Sequence, residues 1–215
     1  MGNRAFRRLL VSYFGKLLGV GTVLAAVPFM ARYGLGGDER TVTALFLSLV
    51  GPAILTMPVW VLLARRIGTK TGYLASLACF GVGAGLLAIA PPGPLTFAVV
   101  GVMGVGYAGS QLFPFAMLPD IQRDELHRTG IAREGVMTGV WLAFDKAGIA
   151  LGAFVAAQVL AATGFVEGGV AQTPQAVAGI RLAISVIPAA FVAFGFVVGL
   201  TYRPPARHET ALATA

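Results

Sequence analysis

The chain has 215 residues, 57% of them apolar and only 12% charged, where a soluble domain carries about 25% charged residues. So few charges cannot cover the surface of a soluble globule of this length, and so much apolar matter excludes disorder. The net charge of +7 would fit a nucleic-acid partner only if the basic residues shared one solvated face. They lie between long apolar runs, so the expected partner is the lipid bilayer and not nucleic acid.

In chain order, apolar runs predict six membrane-spanning helices, covering about 9–31, 42–64, 72–90, 95–118, 136–163 and 176–202. The first run is too long for the apolar core of a signal peptide. Gly34-Leu35-Gly36-Gly37-Asp38 follows it, and Pro91-Pro92-Gly93-Pro94 makes a turn after the third run. The longest charged connection is expected from Pro119 to Gly135. Residues 1–203 thus read as one six-helix bundle and 204–215 as a short tail. Continuous apolar runs, without alternation over about ten residues, exclude a β-barrel.

Loop charges predict the orientation. Arg4, Arg7, Arg8, Arg65, Arg66, Lys70, Arg123, Arg128, Arg133, Arg203 and Arg207 fall on one side, against Arg32, Arg40 and Arg181 on the other. The positive-inside rule then places both termini in the cytoplasm, in a multi-pass protein of the cytoplasmic (inner) membrane. Gly19-Val20-Gly21 with Pro28-Phe29 is matched by Gly104-Val105-Gly106 with Pro114-Phe115 in spans of opposite direction. Such a match is what a three-plus-three inverted repeat would leave.

Polar residues within apolar runs mark candidate sites, because each charge at mid-span costs about 2.5–3.5 kcal/mol. Asp145 and Lys146 sit near the middle of the fifth span, about 100° apart around the helix, so they do not simply neutralise each other. Asp145 shares its face with Thr138, Trp141, Gly148 and Gly152; Lys146 shares its face with Gly139, Leu142, Ile149 and Ala150. Lys146 is expected to line a cavity, with Asp145, Gln111, Tyr107 and Trp141 around it. A structural ion pair with a neighbouring helix or with a missing partner chain is the alternative for the two charges. Lys16 is expected to snorkel toward the interface, Trp60 to anchor there, and Cys79 to be an inert buried thiol. Gly104 to Gly109 matches the GxGxxG pattern, but inside an apolar span it reads as helix packing, not dinucleotide binding. His127 and His208 lack ligand spacing, and no nucleophile–base pair is visible. Neither a metal site nor an enzyme is expected.

Between spans four and five, Pro114-Phe115-Ala116-Met117-Leu118-Pro119-Asp120 leads to Asp124-Glu125-Leu126, Thr129-Gly130 and Arg133-Glu134-Gly135. This resembles the loop before the eleventh helix of the glycoside–pentoside–hexuronide:cation symporters, melibiose-permease-like members of the major facilitator superfamily. The resemblance continues through Trp141, Phe144, Lys146 and Gly148 to Gly179-Ile180-Arg181-Leu182, and includes Arg65-Arg66-Ile67-Gly68-Thr69-Lys70. It departs in the spacing before Asp124-Glu125-Leu126 and before Thr129-Gly130, and in Asp145 beside the lysine.

The resemblance implies an all-α integral membrane fold equal to the second six-helix half of a twelve-span transporter. It places Lys146 near a coupling-cation and substrate region, and Asp120, Asp124, Arg133 and Glu134 in a cytoplasmic gating loop. A solvated, self-paired loop is the alternative for those four. The implied activity is sodium- or proton-coupled transport of a sugar or glycoside, with no cofactor beyond the coupling cation. A lone half has one wall of the cavity, so a separate first-half bundle or a second copy is the implied partner. A non-transporting fragment or accessory protein, and a carrier of lysophospholipid, are the other readings.

Overall fold

The computed structural model describes residues 3–169 and 171–205. Most of the expected tail, with Arg207 and His208, lies outside the described residues. Among the described residues, seven α-helices make up the bundle: α1 Arg4–Phe29, α2 Glu39–Ile67, α3 Thr69–Ile89, α4 Pro94–Thr129, α5 Glu134–Ala162, α6 Pro174–Ile184 and α7 Val186–Thr201. No strand occurs among the described residues. With α6 and α7 taken as one broken span, six helices are long and apolar enough to cross a bilayer. Every backbone polar group in the hydrocarbon must be satisfied internally, and helices alone do this within one segment.

The departures from the expected boundaries have local causes. A π-helical stretch, Met30–Gly34, extends α1. The sixth span breaks at Ser185 (φ −122°, ψ −78°), since Pro188 has no N–H to give the carbonyl one turn back. The connection expected at 119–135 is mostly helix. α4 continues to Thr129 and ends on Gly130, whose φ of +68° places it in the left-handed region that favours glycine. At 36 residues, α4 is about 54 Å long and exceeds a hydrocarbon core of about 30 Å. Its charged final turns therefore stand beyond the membrane.

The helices pack by a pseudo-symmetric scheme. α1 lies mainly against α5 and α7, and α4 lies mainly against α2 and α3. Exchanging the first three spans for the last three preserves this pattern, as an inverted repeat requires. The register offered by the two Gly-Val-Gly stretches is not the structural one. Gly19 meets α7 and Gly21 meets α5, whereas Gly104 meets α2 and Gly106 meets α3, the reverse order. A Cβ on Gly104 would overlap the Leu49 carbonyl oxygen, so this glycine permits close helix contact and the packing reading of GxGxxG holds. Trp60, expected at the interface, is instead 7% exposed, and its indole N–H donates to the Val105 carbonyl at 2.8 Å.

The end carrying most of the arginines is tied together by Glu125, 4% exposed. Its Oε2 accepts from Arg128 Nη2 at 2.7 Å and from Asn3 Nδ2 at 2.9 Å, and Arg133 Nη1 lies 4.0 Å from Oε1. The Arg128 and Asn3 bonds hold this carboxyl below its ordinary value of 4.5. An acid lowered in the folded state adds stability above its unfolded value, and that stability is lost as pH falls through the folded value. Glu125→Gln is expected to destabilise this end by about 1–3 kcal/mol at neutral pH. Amide exchange across the first turns of α1 should quicken at neutral pH, and the difference from wild type should close in acid. Unchanged exchange at neutral pH would show that Glu125 does not hold this end.

Candidate functional site in the α1–α4–α5 wedge

Three helices converge on a polar cluster inside the bundle. Lys16 of α1 and Asp145 of α5 lie at similar depths, about 18 and 17 Å from the starts of their helices at 1.5 Å per residue. Lys16 does not snorkel: it is 0% exposed. Its ammonium donates to Gln111 Oε1 and lies 4.6 Å from the Tyr13 ring centroid and 5.8 Å from that of Tyr107. Gln111 Nε2 in turn donates to the Tyr107 hydroxyl at 3.4 Å, one helical turn back on α4. An amide oxygen and two aromatic faces thus solvate a cation that water cannot reach.

Asp145 closes the other side. Its Oδ1 accepts from the Tyr13 hydroxyl at 2.6 Å. Tyr13 stacks on Trp141 with ring centroids 4.5 Å apart, and Phe115 meets both rings edge-on at 6.1 Å. Lys16 and Asp145 form no direct ion pair; Tyr13 stands between them, touching the carboxylate through its hydroxyl and the ammonium through its ring. The Trp141 indole Nε1 is buried with no hydrogen-bond partner among the described residues. A buried donor left unpaired costs about 1–3 kcal/mol.

The helical faces expected for Asp145 and Lys146 are largely observed. Trp141, Asp145, Gly148 and Gly152 form the buried seam of α5. A Cβ on Gly152 would overlap the Leu18 carbonyl oxygen of α1, and Thr22 Oγ1 donates to the Gly152 carbonyl at 3.2 Å. The Lys146 side chain points outward, 81% exposed, on the unpartnered side of α5. Its Nζ is nevertheless 3.3 Å from Asp145 Oδ2, because a long lysine stem can reach back across the 100° between neighbouring residues.

Of the five residues expected around a cavity, Asp145, Gln111, Tyr107 and Trp141 share one cluster, and Lys146 touches it from outside. Tyr13 and Lys16 complete the cluster. Lys16, a charge within an apolar run, was the signal that could have found it; Tyr13 gave none, since a tyrosine in an apolar span is ordinary. The four residues expected in a gating loop lie on two helices joined by a short turn. Asp120 and Asp124 lie on the last turns of α4, while Arg133 caps α5 and Glu134 opens it. Gln122 bridges the two helices through the Glu134 carbonyl at 3.3 Å and Thr138 Oγ1 at 2.8 Å.

Six apolar helices around a charged, aromatic centre define a multi-pass integral membrane protein. The family model described as MFS/sugar transport protein matches residues 1–203, and the chain belongs to that family, one of transporters and not of enzymes. It is 30% identical over 208 residues to an uncharacterized symporter of Synechocystis sp., covering 93% of this chain and 38% of that protein. It is 29% identical over 174 residues to the sphingosine-1-phosphate transporter of Mus musculus, 78% of this chain and 34% of that protein. A glucuronide carrier protein homolog of Escherichia coli is 26% identical over 205 residues, 91% of this chain and 43% of its own length. The chain therefore spans less than half the length of these curated relatives.

Proposed function

We propose that this bundle is the second-half wall of a cation-coupled secondary transporter for sugars or glycosides, working with a first-half bundle or a second copy. The observation that carries this reading is the Lys16–Tyr13–Asp145 arrangement at mid-depth, with Lys146 reaching it from an uncovered face. Ionisable groups this deep are costly in a membrane and mark ion or substrate pathways. Alternating access rocks two bundles about a midplane site. Lys146 and Phe115, both exposed in the single bundle, would then face the opposite bundle across the cavity. The coupling ion is sodium or a proton. Asp120 and Asp124 at the end of α4, with Arg133 and Glu134 at the start of α5, would gate the cytoplasmic side, and both termini would lie there.

The similarity to a sphingosine-1-phosphate transporter favours a second reading, a phosphate-bearing lipid such as lysophospholipid as substrate. Liposomes containing the chain together with a first-half bundle, under an imposed sodium or proton gradient, distinguish these readings. Labelled glucuronide is expected to accumulate only with the gradient; accumulation of lysophospholipid alone would select the second reading. If neither substrate is bound or moved, the chain is a non-transporting or accessory membrane protein and the proposal fails.

A further inference from the structure

At the arginine-rich end, far along α1 from Lys16, the first turn of α1, the end of α4 and the residues after α7 enclose a hollow of about 560 Å³. Among the described residues its lining carries four arginines, Arg4, Arg8, Arg128 and Arg203, and one acid, Asp124. Glu125 compensates Arg128 from behind, and Asp124 can offset at most one more charge. Among the described residues, at least two of these guanidinium charges thus have no matching acid on the lining. Arg4 and Arg203 make no ion pair among the described residues. Arg8 commits one N–H to the Thr201 carbonyl at 2.8 Å, which leaves its other donors available.

Like charges gathered this way repel unless an anion enters. The first turn of a 26-residue helix adds the positive end of its dipole to the same hollow. We propose that the hollow binds a phosphate-type oxyanion between Arg4, Arg8, Arg128 and Arg203. Arg4, Arg8 and Arg203 flank apolar runs, where basic residues meet phospholipid headgroups, and Arg128 joins them in the hollow from the end of α4. Guanidinium forks match phosphate oxygens two at a time, so arginines suit this ligand better than scattered lysines would. The assignment does not rest on the transport reading.

The full chain in nanodiscs of phosphatidylcholine, with and without phosphatidylglycerol, provides the test. Native mass spectrometry should find retained phosphatidylglycerol on the wild type. Arg4→Gln with Arg203→Gln should weaken retention by about 25-fold, roughly fivefold per arginine near an anionic surface. Arg65→Gln with Arg66→Gln, basic residues at the same end but outside the hollow, should retain it. A calorimetric titration of inorganic phosphate into phosphatidylcholine discs separates the two sources. Phosphate binding there that is lost in the Arg4/Arg203 variant assigns a soluble phosphate; lipid retention without it assigns a headgroup. Both arginines are exposed, so the double variant should fold, as matching helical circular dichroism would confirm. Equal retention by wild type and the Arg4/Arg203 variant, or binding of neither ligand, overturns the site.

Discussion

Lys146→Leu is expected to reduce gradient-driven uptake by at least about 30-fold while leaving the amount of inserted protein unchanged. The two effects separate because the side chain is 81% exposed in the bundle. An ion pair screened to that degree contributes little to folding, and leucine suits an apolar membrane face. Covered by an opposing bundle, the same ammonium is desolvated. Truncating one member of a buried, hydrogen-bonded charge pair then costs about 2–5 kcal/mol, roughly 30-fold to several thousand-fold in affinity. Asp145→Asn provides the contrast. It weakens the Tyr13 contact and takes away the carboxylate nearest the buried Lys16, so stability and uptake should fall together. Gradient-driven uptake measured beside the yield of membrane-inserted protein tells the two apart. Wild-type uptake by Lys146→Leu would remove that residue from the substrate pathway.

The second large effect is structural. Gly152→Val is expected to separate α1 from α5 and to lower thermal stability in detergent by more than the usual overpacking cost of about 1–3 kcal/mol. The new Cβ would overlap backbone, the Leu18 carbonyl, and a carbonyl inside a helix cannot turn aside as a side chain can. The Thr22 bond to the Gly152 carbonyl would go as well. Because Tyr13 reaches Asp145 across this same seam, the polar cluster should open with it. Gly85→Ala on α3 is the control: a Cβ there meets nothing within 4 Å, and its effect should stay within about 0.5 kcal/mol. Equal melting of the two variants would show that the α1–α5 seam tolerates a wider spacing.

Several features were legible because each depends on residues near one another in the chain. Apolar run length located the six spans, since the hydrocarbon thickness sets a minimum that local composition must meet. Helical periodicity set Asp145 and Lys146 on different faces and grouped Asp145 with Trp141, Gly148 and Gly152. Composition also marked Gln111 and Tyr107 as polar groups that need partners in an apolar span. Helix ends were less legible. The charged stretch after Pro119 looked like a loop, yet Asp120 to Thr129 continue α4, because charge excludes a segment from the membrane without stopping a helix.

Which helices meet was decided by packing. Lys16 looked able to snorkel until α4 supplied Gln111 and Tyr107 to hold it, and Trp60 looked interfacial until α4 offered the Val105 carbonyl. Tyr13 and Glu125 matter because residues 132 and 122 positions away in the chain, Asp145 and Asn3, are brought against them. Composition therefore determined the solvent, the number of spans and the face each residue presents, since those follow from local chemistry and helical pitch. The tertiary structure alone decided the partners of the buried charges, because a charge in a low-dielectric interior is stabilised only by groups that distant segments bring within hydrogen-bonding reach.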